Sequence, residues 1–264
     1  MFDNATTRFP PALNNVKESA IFSDLPVPDR IDSLHEYPQD FDDYFGPATT
    51  AASPAGGWTL SGAGATAALV AGDGGIMSLA AAASTPAALQ KTPAAFPMTR
   101  GKRGWYTTQL NVDSVLGLII AGLLNATATP FTGASQTDGM YFLSTNTGAL
   151  SFNVAVGGVI ATVATGVSLV AGAYANLSIY YDGACYNATP NGRVVWQVDG
   201  PGVTASARGE ILIPAAGTIA AFPSAVNLAP IIGVSASTAA VRTLLDDKLY
   251  AAKDEIFINA TPPF

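Results

Sequence analysis

The chain has 264 residues, 49% of them hydrophobic and only 12% charged, with a formal net charge of −7. This is a foldable composition with about half of the ~25% charged residues usual for globular domains. Residues 1–46 hold nine Asp/Glu against three Lys/Arg, a balance of −6. The remainder holds ten against nine, a balance of −1, which excludes a body built to grip a phosphate backbone. The single cysteine, Cys185, excludes an intramolecular disulfide framework and reads as a small apolar filler of a protein folded inside the cell. A surface so poor in charge is expected to be covered by partners, a second copy being the simplest.

The first fifteen residues have neither the basic start nor the apolar run of a secretory signal. The Asn-Ala-Thr sequons at Asn4, Asn125, Asn187 and Asn259 therefore read as ordinary loop and strand-end residues. Residues 1–46 show no sustained helical or strand period. Prolines at 10, 11, 26, 28 and 38 interrupt them, and Phe9, Leu13, Val16, Ile21, Phe22 and Leu25 are irregularly spaced. An extended anchoring arm is expected, because a free tail would be depleted in such apolar residues. At its end, "YPQDFDDYFGP" sets Phe41, Tyr44 and Phe45 on one face of a single helical turn, preceded by Tyr37. Asp40, Asp42 and Asp43 are left for water and the helix N-terminus. This reads as a docking turn on a partner or as a lid on the chain's own body.

From Pro47 to Phe264 a β pattern takes over. Short apolar runs such as "GMYFL", "LSFNVAV", "VIATVA", "ANLSIYYDG" and "RVVWQVDG" stop at turn signals such as "GDGG", "VGG", "YDGA" and "DGPG". "VLGLIIAGLL" (115–124) is about half the length of a membrane helix and reads as a buried strand. About a dozen such runs at regular spacing predict an all-β antiparallel sandwich. Two stretches have helical propensity: the Ala-rich 78–91, broken by Pro86, and 239–256, whose Leu244 to Ala251 lacks clean alternation.

Little in the chain points to catalysis. The one histidine, His35, lies in the arm, and no G-x-S-x-G elbow is present. Glu210 stands alone, whereas Asp246/Asp247 and Asp254/Glu255 are adjacent pairs that a strand sends to opposite faces. The expectation is no enzyme and no cofactor. "GAGATA" (62–67) matches a dinucleotide fingerprint but reads as a small-residue turn. Asp73, Asp138, Asp182 and Asp199 each precede a glycine, as tight turns require, and no metal is assigned to them. Arg100, Lys102 and Arg103 form the one dense basic cluster, ahead of Trp105 and Tyr106. They are a candidate patch for an anionic glycan or acidic segment, with a solvated turn as the plainer reading. Trp58, Trp105 and Trp196 are candidates for a sugar-stacking platform or, more simply, for core.

The order of motifs carries a resemblance. An arm "FPPALNNV…DLPVPDRIDSLHEYPQDFDDYF" is followed by "GGWTL", "GDGGIMSL", "RGKRGWYTTQLNV", "GLIIAGL", "TDGMYFL", "AGAYANLSIYYDG", "ARGEILIP" and "VRTLLDDKLYAA". In this order they resemble structural proteins of short-tailed bacteriophage virions with a concanavalin-like jelly-roll body. The resemblance implies a strand at 242–250 and a division into an arm, 1–46, and a sandwich body, 47–264. It further implies a non-enzymatic capsid decoration or cement protein, made in the host cytoplasm and placed on the capsid exterior. Its partners would be the major capsid protein and its own copies, as a dimer or trimer, with neither nucleic acid nor membrane. Phe9, Phe22, Tyr37, Asp40, Phe41, Asp42, Asp43, Tyr44 and Phe45 are the partner-binding residues expected of the arm. The alternative is a carbohydrate-binding, lectin-like adhesion module exposed on the virion or tail.

Overall fold

Turn residues cut the body into segments of two to thirteen residues, most with side chains that alternate between two environments, and two antiparallel sheets result. A computed structural model describes residues 34–40, 57–70, 76–92, 94, 96–97, 103–183, 192–213, 226–236 and 240–254. In chain order the strands are β1 (Leu34–Asp40), β2 (Trp58–Ser61), β3 (Thr66–Val70), β4 (Ile76–Ala81), β5 (Pro86–Lys91), β6 (Phe96–Pro97), β7 (Arg103–Val112) and β8 (Gly117–Asn125). They continue as β9 (Gly139–Ser144), β10 (Ala149–Val156), β11 (Val159–Ser168), β12 (Tyr174–Asp182), β13 (Gly192–Asp199), β14 (Ala207–Ile213), β15 (Asn227–Ala236) and β16 (Arg242–Asp254). The helical content of the described residues is one 3-10 turn, Gly133–Ser135, and none of their helices is long and apolar enough to cross a membrane.

Sheet A runs β14-β13-β12-β7-β16-β4-β3, with β1 also paired to β16; sheet B runs β11-β10-β9-β8-β15-β5-β2, with β6 also paired to β15. Consecutive strands cross repeatedly between the sheets, as at β4/β5 and β7/β8, so the two layers are woven together and face each other. Tyr106 and Leu110 of β7, Leu177 and Ile179 of β12 and Val194 and Val198 of β13 pack on Ala121 and Leu123 of β8 and Ile232 and Val234 of β15. Trp196 of sheet A meets Phe142 edge-on at 6.5 Å and Phe152 at 6.1 Å, both from sheet B. The two phenylalanines lie 5.1 Å apart. The Tyr106 hydroxyl crosses the interior to donate to the Ile231 carbonyl at 3.2 Å.

The sandwich expected from the turn spacing is what forms, and "VLGLIIAGLL" supplies β8. Residues 78–91 are not helical. They contribute the end of β4 and all of β5, in different sheets, with Met77, Leu79, Ala81, Ala87 and Leu89 facing the core. Ala88 packs on the outer side with Ile120 and Ile231. Burial on one face of β4 and on both faces of β5 overrides the helix propensity of alanine here.

Within 239–256, Arg242–Asp254 form the long strand β16, which covers the predicted 242–250. Its missing alternation has a geometric cause. A register irregularity between Asp246 and Lys248 shifts its pairing with β7. Leu244 and Asp246 face inward before it, and Leu249 and Ala251 after it. A bulge inserts one residue and so reverses the phase of the period-two pattern. "GAGATA" is a turn: the Ala65 amide donates to the Gly62 carbonyl, and Gly62 and Gly64 have φ of 118° and 70°.

The arm was expected to hold no regular element, yet Leu34–Asp40 pairs antiparallel with the second half of β16, from Leu34 opposite Asp254 to Asp40 opposite Lys248. Pro38 is tolerated because β1 has one neighbour among the described strands, so a missing amide costs no second ladder.

Burial holds three tyrosine hydroxyls protonated. Tyr106 has its pKa raised well above 10.0 by burial and then by Asp246. Tyr141 is raised by burial, and Tyr181 by burial and then by Asp182. Above about pH 10 the unfolded chain releases these protons while the folded chain keeps them, so stability is complete below that pH and falls as pH rises past it. Alkaline titration should lower the unfolding free energy by up to about 1.4 kcal/mol per pH unit for each tyrosine still protonated when folded. Urea unfolding followed at a series of pH values, with tyrosinate absorbance as a second signal, measures this.

Candidate functional site

Pleating sends alternate residues of β7, β12 and β13 to opposite faces. Because Tyr106, Leu110, Leu177, Ile179, Val194, Trp196 and Val198 point into the core, the residues between them face outward. The inter-strand register aligns Gln109, Asn176 and Asp199 in one row across the three strands, and Thr107, Ser178 and Gln197 in the next. Four of these side chains form one bonded lattice, and the other two pair beside it. Gln109 Nε2 donates to Asn176 Oδ1 at 3.0 Å, Asn176 Nδ2 to Asp199 Oδ1 at 2.7 Å, and Gln197 Nε2 to Asp199 Oδ2 at 2.7 Å. Thr107 and Ser178 share a hydrogen bond of 2.9 Å. Thr107, Gln109, Asn176, Gln197 and Asp199 are all half-buried, within reach of solvent without projecting into it. Beside the lattice lies Tyr174, opposite Asn111. Its hydroxyl pKa is raised by burial and then by Asp247 and Asp246.

The other end of the same face is built differently. The Trp105 ring lies on Tyr180 with centroids 5.5 Å apart and planes at 29°, and the Arg103 guanidinium sits 5.7 Å from the Trp105 centroid. Arg193 and Asp182 form an ion pair at 3.4 Å. Trp105 is 0% and Tyr180 5% exposed, so this stack offers no open ring to a ligand. Trp58 and Trp196, at 1% and 3%, belong to the core. The three tryptophans therefore do not form a common platform. Arg103, expected in a basic turn, is the first residue of β7 and half-buried. Arg100 and Lys102 lie outside the described residues.

Of the expected arm contacts, Phe9, Phe22, Phe41, Asp42, Asp43, Tyr44 and Phe45 also lie outside the described residues. Tyr37 and Asp40 are placed by backbone register on β1, opposite Ala251 and Lys248. The candidate metal carboxylates are dispersed. Asp138 accepts from the Gly157 amide at 3.0 Å, Asp182 pairs with Arg193, Asp199 serves the lattice, and Asp73 is outside the described residues. Among the described residues no group of three His, Cys, Asp or Glu could hold a metal ion. Asn125, the second sequon, braces a loop, with its side chain donating to the Ser135 carbonyl and accepting from the Asp138 amide, each at 3.2 Å.

No family model matches the chain, and no curated protein matches it in sequence. Solved structures do match in shape. Lectin II from Ulex europaeus superposes with a TM-score of 0.52 at 12% identity, over 83% of this chain and 98% of that one. The fold is the concanavalin-like jelly roll. An endo-1,3-beta-glucanase from Streptomyces sioyaensis gives 0.53 at 10% identity, over 86% and 98%. Lectin I from Ulex europaeus, in complex with the methyl glycoside of alpha-L-fucose, gives 0.52 at 10%, over 86% and 100%. One jelly roll thus hosts lectins and a hydrolase, so the likeness shows the fold and not the role.

Three described outward carboxylates of sheet A, Asp182, Asp199 and Glu210, lie far apart. Asp199 is six residues along β13 from the partner of Asp182, about 20 Å, and four from the partner of Glu210, about 13 Å. Asp182 and Glu210 lie two strands apart and one pleat repeat out of line, about 12 Å. A glycosidic bond is cleaved between carboxyl groups about 5–9.5 Å apart.

Proposed function

We propose that the chain is a carbohydrate-binding module that acts without turnover, with the outward lattice on β7, β12 and β13 as its sugar-contacting surface. The observation that carries this reading is the continuous amide–carboxylate chain Gln109–Asn176–Asp199–Gln197 at half-buried positions of a rigid sheet. Sugar hydroxyls both donate and accept. A row of amides held in place by one another meets them with little loss of side-chain freedom on binding. The fold shared with two Ulex europaeus lectins supports the same reading, and the wide spacing of the outward carboxylates argues against hydrolysis.

A second reading places the body on a bacteriophage capsid, tethered through residues 1–46. It is favoured by the motif order and by the net −6 of that segment against a nearly neutral body. Protein lacking 1–33, which keeps β1, should fold yet fail to co-sediment with capsids. Equal co-sedimentation removes the tether.

Binding is tested on a glycan array with full-length protein, followed by titration of the strongest hit. Gln109→Ala and Gln197→Ala each remove one lattice amide at a half-buried position. Each should weaken binding about tenfold, the worth of one hydrogen bond near 1.4 kcal/mol, with little change in thermal stability. Unchanged affinity in both variants, or release of new reducing ends, would contradict the proposal.

A further inference from the structure

Strand β11 closes one edge of sheet B and is paired, among the described residues, with β10 alone. Its sequence, VIATVATGVS, contains no charge and no proline. Proteins ordinarily protect such an edge with lysine, proline or a covering element. Here Val159 is 46% exposed, and Thr162, Ala164 and Gly166 are exposed as well. Pairing with β10 is unbroken over Val159–Ala164; the irregularity lies beyond it, between Ala149 and Ser151 of β10.

The hydrogen-bonding phase of this edge follows from the hairpin. β10 and β11 are joined by Gly157-Gly158, with φ of 57° and 82°, a two-residue turn flanked by the pair Val156/Val159. Residues flanking such a turn exchange both backbone bonds, and bonded pairs recur every second residue. Val159, Ala161 and Val163 therefore spend their backbone groups on β10. Ile160, Thr162 and Ala164 aim theirs at the open edge. The phase agrees with the far side of the sheet, where the Asn125 amide bonds to the Asp138 carbonyl between β8 and the residue before β9.

We propose that this edge pairs antiparallel with the same edge of a second copy, about a two-fold axis through Thr162. Thr162 then faces Thr162 of the other copy, and Ile160 faces Ala164 on either side. Three bonded pairs give six backbone hydrogen bonds and join two B sheets into one. The occupant is a second copy because the edge is self-complementary in phase and carries no charge, so that two chains of net −7 meet there without like-charge repulsion. The adjacent edge strand, β14, presents one charge of each sign, exposed Arg208 and Glu210, and adds no net repulsion.

The test is the mass of the full chain by sedimentation equilibrium at micromolar concentration, together with hydrogen exchange at Ile160, Thr162 and Ala164. Wild-type protein should have twice the monomer mass, with those three amides protected. Thr162→Pro removes an outward amide without touching the β10 ladder, and Ala164→Lys places a charge on the axis-flanking pair at an exposed site. Both should yield monomers with unchanged circular dichroism. A monomeric wild-type protein, or a dimer that survives both substitutions, would overturn the proposal.

Discussion

The period of two along β7, β12 and β13 is the constraint on which the rest depends. These strands send Tyr106, Ile179 and Trp196 into the core, where Trp196 is clamped by Phe142 and Phe152 of the opposite sheet. Each core contact fixes the outward residue beside it. A slip of one residue in any of the three strands would bury Gln109, Asn176 or Asp199 and expose an aromatic or aliphatic side chain, so the register that protects the core also holds the lattice. The lattice spacings are those of the sheet itself, about 4.8 Å between strands and 6.8 Å between alternate residues. No loop has to close to create the surface.

A second constraint lies in β16. Asp246 is 0% exposed inside the sandwich, where its Oδ1 accepts from the Thr108 hydroxyl at 2.9 Å. A polar side chain so deeply buried depends on protein donors in place of water, and the Thr108 hydroxyl supplies one. It sits immediately before the irregularity at which β16 changes phase, with β4 beside its first half and β1 beside its second. One long strand thereby organises three neighbours, and part of the N-terminal segment joins the sandwich through it.

The fold was legible where turn glycines and β-branched runs coincide, as in β8, β10, β12 and β13. It was obscured wherever tertiary context outweighed local preference. Alanines in β4 and β5 carry helix propensity that burial in the sheets cancels, the bulge hides the alternation of β16, and Pro38 masks an edge strand. The lattice was harder to see. "TTQLNV" and "ANLSIYY" place a polar residue at every second position, and "VVWQVD" does so at Gln197 and Asp199, which is the signature of an outward face. Which amide meets which carboxylate depends on the register between strands separated by tens of residues, and no local pattern encodes it. Trp105, by contrast, was conspicuous in the sequence and proves to be a packed element of the outer surface, covered together with Tyr180.

The picture is a jelly roll whose core strands double as the support of an outward polar lattice, the surface proposed to contact sugars. The most direct measurement is an NMR titration of the side-chain amides with oligosaccharides. Shifts concentrated on the Gln109, Asn176 and Gln197 NH2 signals, saturating together, are predicted. Shifts confined to loops or to the β11 edge, with these three signals unmoved, would contradict the account.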